Sequence, residues 1–330
     1  MISYIDPELP GITRKKMRHG WGYWDAKGQR ITDRDEIDRL NKIALPPAYR
    51  DAWFCPSPDG HIQAIGYDAR GRKQYRYHLG FRAAQDAAKY DKCSAFGRAL
   101  PLLRAKVERD LEGNATDRDT VIAAVVRLLD IGHLRVGNEA YAQLNKSFGA
   151  TTLRNRHVKV AGKRLDLQYR AKSGVMRKLS ITDKSLSRVV RRVQDLPGQQ
   201  LFQYRDEAGN LHSVGSAEVN AYIREAMGED FTAKHFRTWS ASVIALEHIA
   251  SATASGIKVK LAELLEPVAA ALGNTPTIAR KSYVHPYVLE RAGDIVEALH
   301  LPRKTRWLTS AERALIELLD VGGKAVSKAA

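Results

Sequence analysis

The apolar positions of this chain follow two periods, and the changeovers divide it. Residues 1 to about 80 are rich in turns and short alternating runs. GWGYWDAKGQRIT reads as a hairpin, with Tyr23 and Trp24 on one arm and Lys27-Gly28 in the turn. WFCPSPDGHIQAIGY reads as a second hairpin about Pro58-Asp59-Gly60. After about Phe81 the pattern becomes helical. Val121, Val125, Leu128 and Leu129 share one helix face, which predicts a helix over Asp117–Asp130 with Thr116 as N-cap and Gly132 at its end. Another is expected through Asn138–Lys146. Period two then returns. Val158 and Val160, then Leu165, Leu167 and Tyr169, then Met176, Leu179 and Ile181 mark three short strands. Gly162-Lys163 and Lys172-Ser173-Gly174 fill the turns between them. Helical patterns resume at about 184–195, 216–226, 233–253 and 258–272. Thr275-Pro276 opens the next segment, a capping residue followed by proline at the first helical position. Two more helices are expected at about 287–299 and from Ser310 to about Leu319, with VGGKAVSKAA as a frayed tail. There is no internal repeat. The fold class expected is α+β: a small β-rich domain over residues 1–80, then a larger, mainly helical domain over 81–330 that contains a three-stranded antiparallel sheet.

Composition narrows the partner. The chain has 330 residues, 44% of them hydrophobic, enough for two domains and a sizeable core. It carries 53 Lys and Arg against 37 Asp and Glu, a net charge of +16. That balance points to a polyanion, usually nucleic acid, with an anionic membrane surface as the other option. No run of 18 apolar residues exists, so no membrane span is expected. The first residues, MISYIDPELPGITRKKMRHG, lack an apolar signal core, and secretion is not expected. Cys55 and Cys93 lie outside any CxxC pattern, which fits a reducing cytoplasm. The charge is concentrated: Thr152 to Arg192 holds thirteen Lys or Arg and two acids, Asp166 and Asp183. Smaller clusters are Arg14–Arg18 and Arg70–Arg76. Three such clusters favour a polyanion-binding face over ordinary solvated surface.

Tyr283, just after Arg280 and Lys281, raises the question of chemistry. A phenol with its ordinary pKa of about 10 is a poor nucleophile at neutral pH. Cations that stabilise the phenolate, and the charge that builds on its target, make it useful. Attack on a DNA phosphodiester would call for guanidiniums on the phosphate and a general acid for the alkoxide that leaves. Arg135 in IGHLRVGNEAYAQ could serve, or could pair with Glu139. Lys172 in YRAKSG could serve, or could be an exposed turn lysine. Arg237 in KHFRTWSAS could serve, or could be a capping or surface arginine. Tyr283 itself could simply pack a helix end, and Asn274 could close a helix in a left-handed conformation. Spacing alone does not join these five.

A resemblance does. The motifs LRVGNE, RAKSG, KHFRTW and LGNTP…RKSY stand in this order over nearly the whole chain. Each is weak alone; together they resemble the bacterial, poxvirus-like branch of the type IB DNA topoisomerases. The resemblance implies that Tyr283 forms a 3′-phosphotyrosyl link to DNA, that Arg135 and Arg237 hold the non-bridging oxygens, and that Lys172 protonates the 5′-hydroxyl leaving group. Asn274 stands where many members have a histidine that donates to the phosphate, so a donor is kept and a titratable ring is lost. KQYRYH resembles a DNA-contacting segment, which implies that Gln74, Tyr75 and Tyr77 face the major groove; an edge strand with aromatic packing is the alternative. Lys234 and Arg280 are further phosphate contacts on the same terms. The activity implied is relaxation of positive and negative supercoils in double-stranded DNA by a monomer in the cytoplasm, associated with the nucleoid.

No HExxH or paired-cysteine pattern suggests a metal, and no GxxxxGK[ST] suggests ATP, so no cofactor is expected. Two other readings compete. A tyrosine recombinase uses a similar cationic set but typically has histidine where this chain has Lys234, and a helical N-terminal domain where residues 1–80 read as β. A basic architectural DNA-binding protein would need the motif series to be coincidence.

Overall fold

The computed structural model describes residues 2–114, 116–257, 259–294, 299 and 301–327. The chain divides into two compact units, Met1–Ala88 and Lys89–Ala330.

The first unit holds β1 (Ile12–Lys16), β2 (Trp21–Trp24), α1 (Arg34–Lys42), β3 (Arg50–Phe54), β4 (Ile62–Tyr67) and β5 (Lys73–Tyr77). The strands form one antiparallel sheet in the order β2-β1-β3-β4-β5. Ile12, Tyr23, Leu40, Leu45, Phe54 and Ala64 make its core, with the Tyr23 ring set edge-on to Phe54. The hairpin about Pro58-Asp59-Gly60 is the β3–β4 connection, as its turn chemistry predicts. The Tyr23–Trp24 strand differs from expectation. Its partner is β1 upstream, and the Lys27-Gly28 turn closes only a single bridge between Trp24 and Arg30. Asp25 stabilises that turn by accepting from the N–H groups of Lys27 and Gln29. Helix α1 was not foreseen: in RDEIDRLNK only Ile37 and Leu40 are apolar, too few to show a period.

Helix α2 (Leu79–Asp110) contains the boundary between the units. The second unit continues with α3 (Arg118–Gly132), α4 (Glu139–Asn145), β6 (Val158–Ala161), β7 (Arg164–Arg170), β8 (Met176–Thr182) and α5 (Lys184–Gln194). A small ribbon follows, β9 (Gln203–Arg205) and β10 (Leu211–Ser213), then α6 (Ser216–Met227), α7 (Ala233–Ala254), α8 (Leu261–Leu272), α9 (Pro276–Ser282), α10 (Pro286–Asp294) and α11 (Ser310–Ser327). Helix α3 is buried almost all round, from Thr120 to Val126, and forms the axis of the core. The three expected strands pair as the antiparallel sheet β6-β7-β8, with Leu165, Leu167 and Tyr169 turned inward. The architecture is the α+β arrangement expected, a β-rich unit and a mainly helical unit with its own three-stranded sheet.

Several boundaries shift for local reasons. Asp117, not Thr116, stands at the N-cap position of α3, without a side-chain capping bond among the described residues, and Gly132 is still helical; the left-handed turn falls on His133, with φ of 53°. Helix α8 begins at Leu261, and position 258 of that expected helix lies outside the described residues. Positions 295–298 of the helix expected at 287–299 also lie outside them. The tail read as frayed continues α11 to Ser327, and positions 328–330 fall outside the described residues.

One ion-pair hub ties three helices of the second unit together. Arg104 on α2 meets Asp130 on α3 at 2.8 Å and Glu312 on α11 at 2.7 Å. Glu312, 5% exposed, also accepts from the Trp239 indole on α7 and the Thr309 N–H. Glu312→Ala takes one of two carboxylates from a largely buried guanidinium and strands an indole donor. The expected loss is about 3–5 kcal/mol of unfolding free energy, read by urea denaturation; a loss below about 1 kcal/mol would mean that Asp130 and the Trp307 carbonyl satisfy Arg104 without Glu312.

Candidate active site

The loop between α3 and α4 carries Arg135, and its backbone is held by a close approach. The Arg135 carbonyl accepts from the Ala150 N–H at 2.8 Å. A Cβ on Gly149 would sit 2.6 Å from that same oxygen and from the Gly137 nitrogen, so only glycine fits there. Gly137 turns the chain with φ of +105°. The Arg135 guanidinium donates to Asn274 Oδ1 at 2.7 Å, across 139 residues of sequence. Glu139, its alternative partner, pairs instead with Arg154.

Arg237 is in the first turns of α7 and is buried, 4% exposed. It is not the surface arginine that its position might suggest. Its guanidinium donates to the His133 carbonyl at 2.6 Å and the Leu272 carbonyl at 3.1 Å. The ends of α3 and α8 therefore hold this cation in place. Burial, then the neighbouring Arg135, pull its pKa down to about 10, so it stays charged at neutral pH.

Tyr283 follows the last residue of α9 and is half-buried. The Arg237 guanidinium lies 4.7 Å from the centre of its ring. Burial alone would raise the phenol pKa. Arg237, then Arg135, outweigh it, and the phenol ends below its ordinary value. Thr275 caps α9 by accepting from the Ile278 N–H, and Pro276 takes the first helical position, as expected. The left-handed residue before it is Gly273, with φ of 61°, rather than Asn274. Asn274 instead turns its oxygen to Arg135 and keeps a buried Nδ2 without a partner among the described residues.

Lys172 lies in the β7–β8 turn, where Ser173 and Gly174 both have positive φ, 64° and 78°. It is exposed, and no hydrogen bond or ion pair engages it among the described residues. Lys172 and Arg135 line one cavity of about 200 Å³ with Phe148. The structure thus brings Arg135, Arg237, Asn274 and Tyr283 into direct contact and sets Lys172 at the edge of the same cleft. Lys234 and Arg280 are exposed, and no hydrogen bond joins either to the cluster.

Two contributors were missed in the sequence. Arg177 on β8 donates to the Ala270 carbonyl at 2.7 Å and to that of Ala271, fixing the end of α8 beside Gly273. Its position on the inward parity of the strand, with Leu179 and Ile181, was a usable signal. Lys89 donates to the Ser282 carbonyl at 2.7 Å and so holds the residue before Tyr283. No local pattern announces that contact, which spans 193 residues.

In the first unit, β5 is an edge strand. Tyr75 and Tyr77 are 41% and 46% exposed and stack on one another at 5.9 Å, and Tyr77 stacks on Phe81. Gln74 donates to Asp68. The edge-strand alternative and the DNA-facing one are thus compatible.

A tyrosine set over a buried arginine, with a second arginine beside it, makes a cationic site whose charge suits a phosphate. Comparison with known proteins gives it a family. The model described as "Eukaryotic DNA topoisomerase I, catalytic core" matches residues 78–305. "Bacterial DNA topoisomerase IB, N-terminal domain" matches residues 20–68. DNA topoisomerase 1B of Acanthamoeba polyphaga mimivirus is 32% identical over 301 residues, covering 88% of this chain and 90% of that protein. DNA topoisomerase 1B of vaccinia virus (strain Copenhagen) is 21% identical, covering 70% and 72%. A solved structure of the XerH site-specific recombinase bound to difH has 14% identity and a TM-score of 0.38, over 60% of this chain and 53% of that one, too slight a likeness to carry an argument. The chain belongs to the type IB DNA topoisomerases. It is an enzyme of that class, and DNA is its partner. No helix among the described residues is long and apolar enough to cross a membrane.

Proposed function

We propose that this enzyme relaxes positive and negative supercoils by cutting one DNA strand, letting the duplex turn, and resealing it, with Tyr283 as nucleophile. The observation that carries the reading is the Arg237 guanidinium over the Tyr283 ring, with Arg135 beside it and the phenol pKa lowered. Tyr283 releases its phenolic proton to solvent and its oxygen attacks the phosphorus; the bond to the 5′ oxygen breaks, that oxygen takes up a proton, and a 3′-phosphotyrosyl ester forms. Arg135 and Arg237 carry the negative charge that gathers on the non-bridging oxygens. The unpartnered Nδ2 of Asn274 supplies one more donor, while its oxygen fixes Arg135. Religation reverses the step: the 5′-hydroxyl attacks the phosphorus and Tyr283 leaves. The ester conserves the energy of the original bond, so the scheme calls for neither ATP nor a metal. Gln74, Tyr75 and Tyr77 offer an amide and two exposed ring faces to bases; Lys234 and Arg280 are exposed charges for phosphates.

The test is relaxation of supercoiled plasmid in EDTA without ATP. Complete relaxation of both hands of supercoil is the expected result. A recombinase would give joined or exchanged products from paired sites, and an architectural protein would only shift the band.

Lys172 is the proton donor in this scheme. Its amine, exposed and without a partner among the described residues, can approach a leaving oxygen. Lys172→Ala should slow cleavage by about 10²–10⁴-fold. A substrate with sulfur at the 5′-bridging position leaves without a proton, and should cut the deficit to less than about tenfold. Equal slowing on both substrates would remove Lys172 from the role of acid.

A further inference from the structure

A second concavity adjoins the cleft, over the β6-β7-β8 sheet, with a volume of about 660 Å³. Its floor is apolar and aromatic: Phe148, His157, Leu167, Tyr169 and Leu179. Its rim is cationic: Lys146, Arg156, Lys159, Arg170 and Lys178, all exposed. The one acid in the lining, Asp166, is already bound by Arg164 at 2.8 Å and by Ser180. Lys146, Arg156 and Lys178 make no hydrogen bond or ion pair through their side chains among the described residues. His157 is 8% exposed, and its Nδ1 accepts from the Arg154 N–H at 3.0 Å. The ring hydrogen therefore sits on Nε2, leaving a neutral donor in the lining. Burial, then Arg156 and Arg154, hold its pKa down to about 4, so it remains neutral at working pH.

The concavity adjoins the candidate active site. Phe148 lines it, the Lys172–Arg135 cavity and the small cavity under Arg237. Tyr169 lines both the groove and the Arg237 cavity. The groove meets the cleft on the Lys172 side of the sheet, and Tyr283, Arg237 and Asn274 take no part in its lining. From Arg170 to Asp166 it follows β7 for four residues, about 13 Å at ~3.3 Å per residue, or about four nucleotides at ~3.4 Å of duplex rise each.

We infer that this groove is the seat of the leaving strand, binding the first nucleotides on the 5′-hydroxyl side of the cut. Cations clamp the phosphates, the half-exposed Phe148 and Leu179 offer an apolar face to a sugar or base, and the end of the groove next to Lys172 delivers the hydroxyl for resealing. The assignment rests on the proposed reading of Tyr283 and Lys172. It adds a specific task for part of the basic stretch Thr152 to Arg192: receiving the free end again after the duplex has turned, so that resealing is fast.

The test separates the two readings. A substrate whose opposite strand stops at the cut traps the covalent complex, and unpaired DNA acceptors of one to six nucleotides with 5′-hydroxyls are then added. For the unaltered enzyme, the half-saturating acceptor concentration should fall with length up to about four nucleotides and then level. In the Arg156→Ala/Lys178→Ala protein it should rise by about tenfold or more, the worth of one charged hydrogen bond, with the initial cleavage rate within about twofold. Normal trapping with an unchanged acceptor requirement would overturn the groove assignment alone. A parallel fall in cleavage would make the groove a general duplex face and overturn it equally. Failure of the unaltered enzyme to form any covalent complex would remove the reading beneath it.

Discussion

Tyr283→Phe should bind DNA as the unaltered enzyme does, yet relax no plasmid and leave no protein on the DNA after denaturation. The substitution removes one oxygen. The ring stays over Arg237 at the end of α9, where Val284, fully buried, and the Ser242 contact to the His285 N–H anchor the chain. Fold and affinity therefore have little reason to change. What is lost is the atom that two arginines have made easier to ionise. Arg280 and Lys281, the basic residues that draw attention to Tyr283 in the sequence, are exposed on α9, whereas Arg237 and Arg135 act on the phenol. Relaxation by the Phe protein at even a hundredth of the normal rate would move the chemistry to another nucleophile.

Arg237→Ala is the second large effect. The guanidinium counters burial at Tyr283 and, in the proposed scheme, receives the charge of the pentacoordinate phosphorus. Burial is already the largest single influence on the phenol; without Arg237 the remaining cation no longer offsets it, and the pKa rises. Loss of a charge-stabilising arginine from phosphoryl transfer costs about 10³–10⁵-fold, and a drop of that order in single-turnover cleavage is expected. Arg237→Lys keeps the charge but not the fork that spans the His133 and Leu272 carbonyls while facing the ring. It should recover only a small part of the rate. The two abandoned carbonyls cost stability as well, about 1–3 kcal/mol each, so cleavage is measured below the unfolding transition. A loss under tenfold in a folded Arg237→Ala protein would leave the cationic site without its central member.

The parts of this fold written in a strong local period were readable in the sequence. The alternation Leu165, Leu167, Tyr169 placed β7 and its inward face, and Val121, Val125, Leu128 and Leu129 placed α3. Where the period was thin, the reading failed. Helix α1 offers two apolar residues among charges. Strand β1, ITRKK, carries too many cations to look like the partner of Trp21–Trp24, although Arg14 lies against the Trp21 ring at 4.2 Å and so belongs in the sheet. The candidate site was legible as residue types and motif order, but not as contacts. Arg135 and Asn274 meet across 139 residues, and the burial of Arg237 depends on carbonyls from two other helices. Such long-range placement leaves no local trace, which is why Lys89 escaped notice. Arg177 did leave one, an arginine on the inward parity of a strand.

The central claim is a bond between Tyr283 and the 3′ phosphate of a cut strand. The direct measurement is to trap the covalent complex on DNA labelled at either side of the break, digest it with protease, and sequence the labelled peptide. The account predicts label retained only from the 3′-phosphate side, on the peptide that holds Tyr283. Label on the 5′ side, or on a peptide from elsewhere in the chain, would contradict it.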